Sequence, residues 1–150
     1  NYCYFYFMPN WFSKLLKIKK YPKTIKIKKE VFVIPSPLII KKLMKKPKKG
    51  KLITTEQIFN YFSNKHKKTK LYLKAIEIFI WGWANNYSTE DFKKAKFPFW
   101  RTINKDGSLI SDFPGGQHLQ ASFLRKEGHI IIRKGKNLFV KNFLKKLIKL

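Results

Sequence analysis

The sequence predicts a mostly α domain with a small β wing, organised as a winged helix-turn-helix. Three observations carry this. Two segments with 3.6-residue apolar periodicity, about Thr55 to Asn64 and Tyr72 to Asn85, flank a short basic link. Toward the C-terminal end, Lys134-Gly135-Lys136 separates two short apolar runs and reads as a hairpin, the expected wing. Lys and Arg number 34 against 8 Asp and Glu, a formal charge of +26, which calls for a polyanion because lysines that neutralise phosphates release condensed counterions. The helix pair alone also reads as ordinary packed helices. Coding bias is a second source for the charge, since only Arg101, Arg125 and Arg133 are arginines.

With 150 residues the chain has the size of one domain, enough to bury roughly two-thirds of its unfolded surface. We divide it into a basic N-terminal arm over 1–30, the domain proper over 31–141, and a short C-terminal amphipathic helix over 142–150. The aromatic head before Met8 is shorter than the ~20 apolar residues of a membrane span. It also lacks the basic start and small-residue cleavage site of a signal peptide. Met8-Pro9-Asn10-Trp11 reads like a natural start, so residues 1–7 are expected to be upstream translation or the end of something truncated.

Asn10 can cap a helix through about Lys19, and Ile25 and Ile27 alternate weakly in a lysine-rich extended arm. Val31 to Ile34 enters the domain. Ser36 is placed to cap and Pro37 to occupy the first turn of a helix through Lys46 that buries Leu38, Ile39 and Leu43. Pro47 to Lys51 is a turn. Thr54 and Gln57 have capping-box spacing ahead of Ile58, Phe59 and Phe62. The second periodic helix presents Tyr72, Ile76, Phe79, Ile80 and Trp83. Tyr87 to Lys96 is polar and reads as an insertion loop. Turns at Asn104 to Gly107 and Asp112 to Gly116 precede a helix from about Gln117 to Lys126, with Leu119, Phe123 and Leu124 inward and Gly128 at its end. The closing helix is expected to carry Phe143, Leu144, Leu147 and Ile148, facing the domain or a membrane surface; we take the domain.

Cys3 is the only cysteine, so no disulfide framework exists, and a reducing cytoplasm fits. His66, His118 and His129 lack paired spacing, and no metal, cofactor or catalytic residue is assigned.

Several strings in order carry a resemblance: Ile34-Pro35-Ser36-Pro37, Lys49-Gly50-Lys51-Leu52-Ile53-Thr54-Thr55, Leu73-Lys74-Ala75-Ile76-Glu77, Pro98-Phe99-Trp100-Arg101, Gly115-Gly116 and Glu127-Gly128-His129. From about Val31 to Val140 the chain resembles the DNA-binding domain of the O6-alkylguanine-DNA alkyltransferase family, in its cysteine-free alkyltransferase-like branch. The resemblance implies a winged helix-turn-helix of that domain's type. It puts Phe99 where the family has its nucleophilic cysteine and Trp100 where it has the histidine. A phenyl ring forms no thiolate and an indole is no general base, so alkyl transfer at this site is excluded. Lys74 falls where the family has the arginine that fills the duplex gap left by a rotated nucleotide. Lysine keeps the charge and loses the planar fork. Thr55 stands at a phosphate-contacting tyrosine position. Glu127 resembles the glutamate that orients the histidine, and with Trp100 present it reads as a structural acceptor for Arg101 or a turn N–H. Arg101 reads as a buried tie to neighbouring carbonyls.

The resemblance therefore implies a non-catalytic binder of double-stranded DNA, with alkylated guanine as the expected lesion and repair proteins as expected partners. DNA contacts are assigned to Thr54, Thr55, Lys70 and Lys74, and the base pocket to Pro98, Phe99, Trp100 and Arg101. Phe99 and Trp100 serve equally as core filler. The alternative is a sequence-tolerant winged-helix binder of DNA or RNA with no lesion pocket. A monomer in the cytoplasm, nucleoid-associated in a bacterium, is expected.

Overall fold

The computed structural model describes residues 20–66, 70–85 and 97–150, with positions 14, 17 and 18 besides; at Leu73, Trp81 and 83–85 only the backbone is described. The helix expected from Asn10 and the loop expected over 87–96 lie outside the described residues.

Strand β1 (Lys23–Ile27) turns through Lys28 and Lys29 into β2 (Glu30–Ile34) as an antiparallel hairpin, so the second half of the expected arm is sheet. The alternation at Ile25 and Ile27 was a strand signal; pairing with the apolar Val31 to Ile34 run stabilises it. The short β4 (Lys70–Leu71) lies parallel to β2, and Tyr72 N–H donates to the Val33 carbonyl at 2.9 Å.

Helix α1 (Pro37–Met44) starts with Pro37 in its first turn, where a missing N–H costs nothing. Ser36 stands at the cap, but its side chain makes no capping bond. Ile40, Leu43 and Met44 are buried, while Leu38 is 54% exposed, a rotation of the apolar face from the expected Leu38, Ile39 and Leu43. β3 (Ile53–Thr54) leads into α2 (Thr55–Lys65), and the capping box is complete: Gln57 N–H donates to Thr54 Oγ1 at 3.1 Å, and Thr54 N–H to Gln57 Oε1 at 3.0 Å. α3 (Leu73–Asn85) buries Ala75, Ile76, Phe79 and Ile80 on one face.

A 3-10 turn at Phe99–Arg101 opens β5 (Thr102–Ile103), which pairs in parallel with β3. α4 (Gly116–Lys126) follows Gly115, whose φ of +79° only glycine adopts without strain. β6 (Ile131–Lys134) and β7 (Asn137–Val140) form the expected hairpin around Gly135. Among the described residues the β content is thus three small sheets, not one wing. The expected C-terminal helix is a 3-10 turn over Phe143–Lys146 only. Beyond it Leu147 bridges Leu52, and Ile148 N–H donates to the Leu52 carbonyl at 3.0 Å. Continuing the helix would forfeit those bonds and lift Leu147 and Ile148 off the domain.

Two apolar clusters result. The larger holds α1, α2 and α3 on Phe97, Phe99 and Phe113; the smaller gathers Leu52, Ile103, Leu109, Leu124 and the hairpin, and Trp100 packs against both.

Candidate functional site

Phe97 and Phe99 are 1% exposed, and Phe99 stacks on Phe113 with ring centroids 5.4 Å apart. The Phe99 and Phe113 rings close the deep side of a cavity of about 450 Å³. That volume is in the range of small-molecule and base sites, ~300–1,000 Å³. Buried Met44, Phe99 and Phe113 form its floor; Thr55 and the exposed Lys74, Glu77 and Asp112 form its rim. α2 supplies Thr55 at its first residue, α3 supplies Lys74 and Glu77 one turn apart, and the turn before α4 supplies Asp112.

Of the residues assigned from sequence, the cavity brings together Thr55, Lys74 and Phe99. Pro98, Trp100 and Arg101 do not line it. Trp100 faces the other way: its ring stacks on Phe123 at 4.9 Å, and its Nε1–H donates to Glu127 Oε1 at 3.0 Å. An indole that bridges two core clusters and satisfies a buried carboxylate is a structural member, not a pocket wall. Arg101 is likewise a tie. Its Nε and Nη2 donate to Glu127 at 2.7–3.0 Å, and its Nη1 to the Pro47 carbonyl at 2.6 Å. Glu127 also accepts from Gly50 N–H at 3.4 Å. One carboxylate thus joins the 3-10 turn, the end of α4 and the loop before β3. Burial works against charge on Glu127, but hydrogen bonds from Arg101 and Trp100 outweigh it and hold the carboxyl below its ordinary value.

Thr54 is buried as the cap of α2 and its hydroxyl is engaged there, whereas the side chain of Thr55 borders the cavity. Lys70 pairs with Glu30, and Lys74 with Glu77 at 3.3 Å, both in exposed settings. Exposed pairs of this kind are worth about 0.2–1 kcal/mol, too little to hold either lysine against a phosphate.

Sequence reasoning missed Glu77, Asp112 and Phe113. The signal for Glu77 was its i,i+3 spacing from Lys74; the signal for Asp112 and Phe113 was their position just before the Gly115-Gly116 turn. It missed Gln120 also, which is fully buried. Gln120 accepts from Ile110 N–H at 2.9 Å and donates to the Trp100 and Thr102 carbonyls, fixing the segment that carries Phe99 to the segment that carries Asp112. Among the described residues no cluster of three potential metal ligands occurs, and no helix is long and apolar enough to cross a membrane.

The backbone matches solved structures over most of its length. A crystal structure of S. pombe Atl1 in complex with damaged DNA containing O6-carboxymethylguanine superimposes with a TM-score of 0.56 at 18% identity, covering 76% of this chain and 94% of that one. The chain has the alkyltransferase-like fold. A second structure, S. pombe ATL in complex with DNA, agrees at a TM-score of 0.55 and 17% identity over the same shares. No family model and no curated protein matches the sequence. The alkyltransferase-like fold is thus kept here at a level of identity where few side chains coincide, and the cavity of this chain has to be judged on its own residues.

Proposed function

We propose that the protein is a non-catalytic DNA binder that receives an alkylated guanine in the cavity beneath α3 and thereby marks it for repair. The observation that carries this is the meeting of Thr55, Lys74 and the Phe99–Phe113 stack at one cavity large enough for a base. An extruded base needs an apolar, flat surface beneath it, a cation at the gap it leaves and a phosphate anchor beside it. Phe113 and Phe99 supply the first, Lys74 the second, and the Thr55 hydroxyl at the start of α2 the third. The fold is shared with a protein captured on damaged DNA and with one captured on DNA, which supports the same reading. Phe99 has no nucleophilic atom, so an alkyl group brought into the cavity stays on its base. The expected course is recognition without transfer.

A second reading, a sequence-tolerant winged-helix binder without a lesion pocket, is favoured by Glu77 and Asp112 at the rim, since carboxylates there repel phosphate. Filling the cavity separates the two. Ser111 lines it from an exposed position, so Ser111→Trp can occupy the space without opening the core. In competition between O6-methylguanine duplex and plain duplex at fixed salt, the wild type should prefer the alkylated DNA. The variant should lose that preference while holding plain duplex within about two-fold. A wild type with no preference, or a variant that keeps it, leaves the sequence-tolerant reading standing.

A further inference from the structure

We infer that the base cavity selects bases alkylated on a ring nitrogen, which carry a positive charge, over neutral alkylated bases of the same size. The inference rests on the proposed reading that the cavity receives a rotated base, and it adds the charge which that base should have.

Charge at the cavity runs against the rest of the molecule. The chain holds 34 Lys and Arg to 8 Asp and Glu, so a cavity placed without regard to charge would be ringed by cations. This one is lined by two carboxylates, Glu77 and Asp112, and by one ammonium group, Lys74. That single cation is already partnered, since Lys74 Nζ lies 3.3 Å from Glu77 Oε2 with both side chains largely exposed. An exposed pair is weak, so Lys74 can follow the gap in the duplex, its role in the proposed function, and leave Glu77 to the cavity.

Asn104 adds an acceptor. Its Nδ2 donates to Ser108 Oγ at 3.0 Å and to the Leu109 carbonyl at 3.2 Å, which occupies both amide hydrogens and leaves Oδ1 as the polar atom that the amide offers the cavity. Beneath this rim the Phe99–Phe113 stack supplies aromatic rings, whose negative faces attract cations, more so when water is excluded. Alkylation of a ring nitrogen uses a lone pair and releases no proton, so the base keeps a positive charge. Alkylation of an exocyclic oxygen or amine releases a proton and leaves the base neutral. The cationic base therefore brings what this lining lacks: positive charge for the carboxylates and the aromatic floor, and exocyclic N–H donors for Asn104 Oδ1. A neutral base gains the stacking alone. An adduct that bears its own carboxylate meets two more of the same sign.

Two isomers test this: 1-methyladenine, cationic at neutral pH, and N6-methyladenine, neutral. Each is placed opposite an abasic site in the same duplex, so that neither has a base pair to break, and the two compete at fixed salt. The wild type should bind the cationic isomer at least about five-fold more tightly, within the range of a desolvated cation–aromatic contact. Bulk charge works against that result, because the protein as a whole is +26. The variant E77Q/D112N, changed at two exposed positions, should bring the isomers to near-equal affinity while binding plain duplex at least as tightly as the wild type. Ser111→Trp, which fills the cavity, should also abolish the difference. Isomers bound alike by the wild type, or a difference that survives either variant, overturns the inference. O6-methylguanine against plain duplex, run alongside, separates this from the proposed function. A wild type that prefers O6-methylguanine but binds the isomers alike keeps that function and loses the charge selection; one that separates the isomers through Glu77 and Asp112 but ignores O6-methylguanine keeps the charge selection and removes guanine as the lesion.

Discussion

Glu127 shows how one residue can be read correctly and still surprise. Its expected role as acceptor for Arg101 or a turn N–H is met twice over, since it takes both, and the Trp100 indole N–H as well. Arg101 and Glu127 keep only 14% and 9% of their side-chain surface exposed. Removing one partner of such a pair leaves the other charge stranded, at a cost of about 3–5 kcal/mol. Glu127→Gln is expected to lose that much stability at neutral pH in urea unfolding. The pH dependence has a definite sign. The folded-state carboxyl lies below its ordinary value of 4.5, so the stability it confers is present above that value and lost as pH falls through the lowered one. The gap between wild type and Glu127→Gln should therefore narrow on acidification. His129 acts in the same direction in both proteins. Burial pushes its imidazole below the usual 6.5, with Lys146 and Arg101 adding to the effect and Glu127 opposing it, and its Nε2 has no partner among the described residues.

At the scale of elements, α3 carries the contest between attraction and repulsion at the cavity rim. Lys74 and Glu77 lie one turn apart on the same exposed face, so each weakens the other's effect on a phosphate. Glu77→Gln is expected to tighten binding of any duplex by about 0.5–1 kcal/mol, roughly two- to five-fold, in a fluorescence anisotropy titration at low salt. No effect would mean that DNA does not approach this face of α3. The same elements show what sequence makes legible. The helix α2 was readable because capping chemistry and apolar period agree, α3 from its apolar period, α4 from its apolar period and the glycines at its two ends, and the β6–β7 hairpin because Gly135 punctuates two apolar runs. The C-terminal turn was misread because Phe143, Leu144, Leu147 and Ile148 fit helical spacing, whereas the extended placement of Leu147 and Ile148 depends on Leu52, which no local pattern reveals. The side of the motif that each ring faces was equally hidden: Phe99 and Trp100 are neighbours in sequence, and only the 3-10 turn sends one to the cavity floor and the other to Phe123.

For the whole molecule, the charge of +26 sets the response to salt. If about five phosphates are neutralised at the α3 face, log affinity for plain duplex should fall against log salt with a slope near −4 to −5. A flat response would return the lysines to coding bias. That net charge already includes all 8 carboxylates, so it is the whole excess of 34 Lys and Arg that the salt response reads.

The bridge between Leu52 and Leu147 also bears on how the protein is made. β3 is flanked by β5 on one side and by the bridging tail on the other, and both come much later in the chain. While a ribosome is still adding residue 140, the strand that leads into α2 has an open edge where the tail will lie, and Leu52 has water where Leu147 will be. The segment that leads into Thr55 is therefore fully paired only once residues 147 and 148 have left the ribosome. Nascent chains stalled before that point should be cut by protease near Lys48 to Lys51, and chains released beyond it should resist.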